Sequence, residues 1–268
     1  MKKVYLFMLL LLFFIRCELF ESSEEHDNAN IDYPIILYPL SESELNELQL
    51  ELDSLLNSHY KATLDEYGFI GPSGLLSRGS SSINDVNYAV SKAKSAVVAF
   101  SQFTNVSDTS KLIVSEATNQ HGTNLFNDWI VSFQNQAHDT IEVLKTNIMV
   151  LITDNIVQVD GHHYGDIVVP ENNLISSEEA EESVIGAELI YYGYAEVDTF
   201  IVTEDAIHID NAKEETSIKI LPYEQGDSLE MRVCWRVPIF GGSIYPDFYV
   251  FVDILSGEVI TYWTLFIC

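Results

Sequence analysis

The sequence predicts an α+β fold: an N-terminal helical segment, then two similar units, each a helix laid on an antiparallel sheet. Three observations predict it. Apolar residues recur at the helical period over residues 41–60 and 82–103. "DWIVSFQ" and "LEMRVCWRV" alternate large apolar residues with polar ones, which is the period of a half-buried strand. The order helix, strand, aromatic-bearing strand, hairpin also occurs twice, at a spacing of roughly 100 residues.

The chain opens on "MKK", an unbroken apolar run from Val4 to Ile15, Arg16 and Cys17. A basic start, an apolar block too short to span a bilayer and a reactive terminal residue read as a signal for export. Residues 1–17 are assigned to that signal and residues 18–34 to an acidic, solvated tether containing "ELFESSEEHDNAN". Residues 35–81 form a helical lead segment and a Gly/Ser linker. Leu45, Leu48, Leu52, Leu55 and Leu56 trace its stripe, and Ser41 or Ser43 can cap it. "YGFIGPSGLLSRGSSS" then breaks the helix, with a boundary near Gly79.

The first unit spans residues 82–172. Ile83, Val86, Ala89, Val90, Ala93, Val97 and Phe100 make one stripe on a helix from Ser82 to Phe103. "KLIVSEA" follows as a strand, then "DWIVSFQ" with Trp129, Val131 and Phe133 on one face, then a hairpin turning at Asp154-Asn155. The second unit spans residues 173–268. "SSEEAEESVIGAELI" carries the Ser cap and acidic first turn of a helix. "SIKILPY", "LEMRVCWRV" and the hairpin "DFYVFVDILSGEVI" complete it. Aligning Phe133 with Trp235 also aligns Val131 with Val233 and Trp129 with Met231.

Composition narrows function by exclusion. Against 13 Lys and Arg stand 41 Asp and Glu, a net charge of −28. Loss of residues 1–16 removes Lys2, Lys3 and Arg16 and no acid, taking the balance to −31. Such a surface repels phosphate backbones and anionic headgroups, so nucleic acid is excluded as a partner. No H-E-x-x-H, G-x-S-x-G, phosphate loop or dinucleotide fingerprint occurs. Of seven histidines, His162 and His163 in "DGHHYGD" lie closest to carboxylates; the stretch reads as a polar connector, although in a loop both rings can reach one ion. "DNAKEET" and "SSEEAEES" read as solvated faces rather than Ca²⁺ loops. No catalytic residue, metal ligand or cofactor is assigned. Cys234 and Cys268 fall on strands that are not neighbours in a meander, about 9–10 Å apart, so no intramolecular disulfide is expected. Tyr191, Tyr192, Tyr194, Tyr245, Phe248, Tyr249, Tyr262 and Trp263 cluster in the second unit, as strand core or as an exposed platform.

Two resemblances add to this reading. The N-terminus resembles a bacterial lipoprotein signal in which Cys17 is lipidated, and the acidic stretch after it resembles surface-export signals. "DFYVFVDILSGEVI" resembles the C-terminal hairpin of PepSY domains, through Val252, Asp253, Gly257, Glu258 and Val259. "ISSEEAEESVIGA" resembles the helix that opens such domains, and "WIVSFQNQAHDTIEVLKTNIMVLITDNIVQVDG" resembles the FTP partner domain of thermolysin-like and fungalysin-like protease propeptides. In that pattern Glu142 stands where a Pro is usual and Lys145 where a Gly is common. The resemblance implies two cystatin-like units, FTP-like then PepSY-like, with no catalytic domain between Asp128 and the end of the chain. It implies a non-catalytic lipoprotein of the cell envelope or outer membrane, held to the membrane by its N-terminal lipid alone. Such a protein binds an envelope or secreted protein, a peptidase above all, and inhibits it or assists its folding. The alternative is a surface module binding a glycan or other extracellular ligand through exposed aromatics. Asp253 and Glu258 are read as turn and solvent positions.

Overall fold

The computed structural model describes residues 33–56, 60–71, 81–119, 128–192, 197–207, 214–243 and 245–265. The expectations for the signal segment with Cys17, for residues 18–32 of the tether, for the boundary near Gly79, for Tyr194 and for Cys268 lie outside these residues; Tyr33, at the end of the expected tether, is half-buried in the fold and not solvated. Strand β1 (Ile35–Leu37) precedes helix α1 (Glu42–Leu55). The cap is Ser41, because Glu44 can answer it: the Ser41 hydroxyl accepts the Glu44 amide while the Glu44 carboxylate accepts the Ser41 N–H at 2.9 Å. Of the leucine stripe only Leu52 is fully buried; Leu55 is exposed. Three short strands follow, β2 (Tyr60–Lys61), β3 (Thr63–Leu64) and β4 (Ile70–Gly71).

Helix α2 runs over Val86–Ala99, shorter at both ends than the stripe predicted. Asp85 caps it by accepting the Asn87 and Tyr88 amides. Ser82 instead donates to Asp154 and ties the helix entry to a later turn. Phe100 leaves helical geometry, and a one-turn helix, α3 (Ser101–Thr104), ends at Asn105 in the left-handed region. Strands β5 (Val114–Asn119), β6 (Trp129–Phe133), β7 (Ala137–His138), β8 (Ile141–Val143), β9 (Met149–Ile152) and β10 (Val157–Asp160) follow. The hairpin β9–β10 turns at the expected Asp154-Asn155.

One sheet has the order β2-β10-β9-β6-β5, antiparallel except where β2 runs parallel to β10. Helix α2 lies on it with Ala89, Ala93 and Ala96 downward, and these small side chains let the helix approach closely. Beneath them Trp129, Val131 and Phe133 alternate inward as predicted.

Helix α4 (Ser177–Val184) begins at a capping box formed by Ser176 and Glu179. A separate hairpin, β11 (Glu188–Tyr192) with β12 (Val197–Ile201), and a short helix α5 (Glu204–Ile207) come next. The chain then forms the meander β13 (Ser217–Gln225), β14 (Ser228–Ile239), β15 (Asp247–Asp253) and β16 (Val259–Leu265). Ala180 and Val184 of α4 share a core with Val237, Phe248, Val250 and Val252. The protein is thus α+β, dominated by sheet.

The second sheet reaches beyond its own stretch of sequence. Its order is β16-β15-β14-β13-β8-β7, and β1 also pairs with β14. Strand β8 joins β13 in parallel, so the hairpin β7–β8 extends the distant meander although it is inserted between β6 and β9. Strand β13 occupies one edge of β14 from Ser228 to Arg236. The opposite edge is divided between β1 at Leu229–Met231 and β15 at Cys234–Ile239. No helix among the described residues is long and apolar enough to cross a membrane.

Candidate functional site

The stretch Val252 to Val259 forms the turn between β15 and β16, at the point where β14 changes partner. Strand β15 ends at Asp253, β1 has not yet begun, and on this edge of β14 Val233 would be left without a strand partner. The Tyr33 hydroxyl fills the gap. It accepts the Val233 N–H at 2.9 Å and lies 3.1 Å from the Val233 carbonyl oxygen and 3.0 Å from Asp253 Oδ2. The Ile254 amide donates to the same Val233 carbonyl.

Asp253 is 2% exposed, which corrects its reading as a solvent position. A buried carboxylate is costly unless its oxygens are satisfied, and here both are. Oδ1 accepts the Leu255 and Ser256 amides and the Ser256 hydroxyl, at 3.0, 3.0 and 3.2 Å. Oδ2 takes Arg232 Nη1 at 3.0 Å beside Tyr33. Arg232 also grips Glu230 at 2.6 Å along its own strand. Burial alone would push the Asp253 carboxyl upward. The two turn amides, Tyr33 and Arg232 outweigh it and hold the group below the usual carboxylate range. Burial and the Asp253 charge together push the Tyr33 hydroxyl far above its ordinary value.

The other motif residues have separate tasks. Val252 is fully buried. Gly257 takes φ +70°, which a side chain tolerates poorly, and its amide donates to the Asp253 carbonyl. The Glu258 carbonyl accepts the Asp253 amide while its side chain faces solvent. Val259 opens β16 and is half-buried. The five residues therefore make a charge-locked corner around a buried carboxylate. The signal that could have exposed it lay in two places: Arg232 opposite the strand end, and Tyr33 more than two hundred positions earlier.

The connector that carries His162 and His163 is packed into the fold. His162 stacks on Phe69 at 4.0 Å between ring centroids and meets Tyr164 edge-on at 4.8 Å. His163 is 5% exposed. Neither Nε2 has a hydrogen-bond partner. Burial pushes both rings down to about 4, helped at His162 by His163 and at His163 by Lys111, so both are neutral near pH 7. No cluster of three His, Cys, Asp or Glu with metal-binding geometry occurs among the described residues.

Cys234 is a fully buried free thiol packed with Leu144, Leu221 and Phe251. Burial and the nearby Asp253 charge push it far above the ordinary thiol range, which keeps it an unreactive thiol. The aromatics separate by position. Phe248 is fully buried and Tyr191 is 8% exposed, each stacked edge-on within one cluster. Tyr249, Tyr262 and Trp263 are half-buried, and Tyr192 stands 77% exposed. Tyr245, at 36% exposure, lies at the rim of that cluster, so two of the group are core and the rest of the described ones are half-buried or exposed.

A cleft of 520 Å³ opens where the hairpin β7–β8 leaves the first sheet, lined by Ser115, Gln134, Asn135, Gln136, Glu142 and Asn147. Its inner groups serve the fold: Asn135 donates to Glu142, Lys219 pairs with Glu142 at 2.9 Å, and Gln136 brackets the main chain of Tyr164 from both sides.

No family model matches the sequence, and no curated protein matches it. Among solved structures the chain is similar to the C-terminal domain of YpeB from Bacillus megaterium, with 12% identity over 85% of this chain and 99% of that one. The TM-score is 0.33, an overlap too loose to transfer a fold or an activity.

Proposed function

We propose that this protein is a non-catalytic, exported lipoprotein of PepSY-like construction that binds a partner protein in the cell envelope, a peptidase in the first instance, and alters its activity or folding. The observation that carries the reading is the closing corner. The V-D-x-x-x-G-E-V stretch ends a four-stranded meander under a capped helix, as the resemblance to PepSY domains implies, and its carboxylate is consumed by the fold. With the Asp253 carboxylate, the His162 and His163 rings and the Cys234 thiol taken up in the fold, the reading is that the protein acts through its surface.

The glycan reading depended on a platform of exposed aromatics. Tyr191 and Phe248 are core residues, Tyr245 sits against their cluster at 36% exposure, and Tyr192 projects beside the exposed Ile190 and Val197. The interaction surface is accordingly more apolar than aromatic, which favours a polypeptide partner.

The test is to add purified protein to envelope and secreted peptidases of the source organism and follow hydrolysis of a casein substrate. The reading requires a saturable rise or fall in at least one activity. Unchanged rates across all fractions, with no stable complex, would contradict it.

A further inference from the structure

The hairpin β11–β12 sits apart from both large sheets, and its two edges are treated differently. On the β11 side, the Tyr262 hydroxyl of β16 accepts the Ile190 amide at 2.8 Å and lies 3.1 Å from the Ile190 carbonyl oxygen. Ile190 therefore turns its main-chain groups away from β12. Its cross-strand partner is Thr199. In an antiparallel ladder such a pair faces outward on both sides, so Val197, Thr199 and Ile201 aim their main-chain groups away from β11. No strand pairs with that edge among the described residues.

Alternation places the side chains as well. Leu189 and Tyr191 are buried, and Phe200 packs against the core beneath them. Ile190, Tyr192, Val197 and Ile201 stand on the other face at 53, 77, 56 and 57% exposure. An open edge continuous with an exposed apolar face is a template for strand addition.

We propose that β12 is the docking edge, and that its occupant is an extended segment of the partner polypeptide with apolar residues alternating with basic ones. The charge around the edge selects that chemistry. From Leu174 to Ile207 the chain has nine Asp and Glu and no Lys or Arg. Asp198 lies on β12 itself, where its carboxylate receives the Thr199 amide at 2.8 Å and the Tyr191 hydroxyl at 2.9 Å. An incoming strand displaces the Asp198 carboxylate from the Thr199 amide, takes that amide on its own carbonyl and sets a lysine or arginine beside the released carboxylate oxygen. A second copy of this chain is a poor occupant, because each copy carries a net charge of −28.

This inference rests on the partner-binding reading and names the surface it uses. The probe is a short blocked peptide alternating Ile with Lys, labelled for fluorescence polarisation and titrated with the full chain. A Glu-for-Lys peptide and a Lys peptide N-methylated at alternate residues serve as controls. The Lys peptide binds; both controls bind about tenfold more weakly or worse. Thr199→Pro, which blocks the edge, and Ile201→Lys, a surface change on the same strand, each weaken binding by about tenfold with melting temperature retained. Equal binding of all three peptides, or wild-type binding by both variants, overturns the proposal. So does a concentration-dependent dimer abolished by Ile201→Lys, or adsorption to neutral phosphatidylcholine vesicles in place of peptide binding. Partner capture by wild type and both variants alike would sink the edge and leave the partner-binding reading intact.

Discussion

Replacing Asp253 by Asn isolates the charge at the closing corner with almost no change of shape. The amide oxygen can keep the bonds from Leu255, Ser256 and the Ser256 hydroxyl. The amide nitrogen then faces Arg232 Nη1 and the Tyr33 hydroxyl, where a carboxylate oxygen had received both. Breaking a buried ion pair costs about 3–5 kcal/mol when the survivor is stranded. Arg232 is not stranded, since Glu230 still holds it and its side chain is 19% exposed. The expected loss is therefore about 2–4 kcal/mol, or roughly 5–15 °C in melting temperature for a domain of this size. Urea unfolding followed by tryptophan fluorescence reads it at pH 7. The pH dependence separates charge from shape. Because the folded carboxyl lies below its unfolded value, the charge-dependent stability is complete above about pH 4 and is lost as pH falls through the folded value. The gap between wild type and variant should shrink steadily below about pH 4. A difference under about 0.5 kcal/mol at pH 7, or a gap that persists unchanged into acid, would refute the argument.

Other outcomes follow from the same packing. His162 and His163 have folded values near 4 against an ordinary value of 6.5, so protonation favours the unfolded chain; stability should decline from about pH 6.5 toward 4, and His162→Phe should flatten part of that slope. Phe251→Ala empties a fully buried site against Trp263, whose ring centroid lies 4.7 Å away, and should cost about 3–5 kcal/mol in denaturant unfolding. Cys234 should resist a thiol reagent at pH 8 in the native protein and react once the chain is unfolded in urea; rapid native labelling that maps to Cys234 would contradict its burial. Gly161→Ala introduces a Cβ 2.4 Å from the Asn147 carbonyl oxygen at φ +97° and should cost about 2 kcal/mol or more, visible as a lower melting temperature.

Elements with local signals were legible in the sequence. The Ser176 capping box, the inward Trp129-Val131-Phe133 face and the hairpin at Asp154-Asn155 depend on neighbours a few residues apart, and they form where expected. The start of α2 was misplaced because both Ser82 and Asp85 can cap a helix. The choice depends on Asp154, which takes the Ser82 amide from seventy-two positions away. The joining of the blocks was not legible. Nothing local in Ile141–Val143 says that β8 leaves its own hairpin series to pair with Lys219 and Ile220, and nothing local in Ile35–Leu37 says that it lies beside Met231. The same distance hid the true state of Asp253, whose turn signature is local but whose burial comes from Tyr33 and Arg232. His162 looked polar by type but packs as an aromatic ring on Phe69 and Tyr164, and His163 beside it is buried.

The central claim is that this protein works by holding another. Affinity capture from the source organism's envelope, with the purified protein immobilised and bound material identified by mass spectrometry, tests it most directly. The account predicts one stoichiometric protein partner, a peptidase, retained at moderate salt and released as charge is screened. A column that retains nothing above the level of a blank matrix, across detergent and salt conditions, would contradict it.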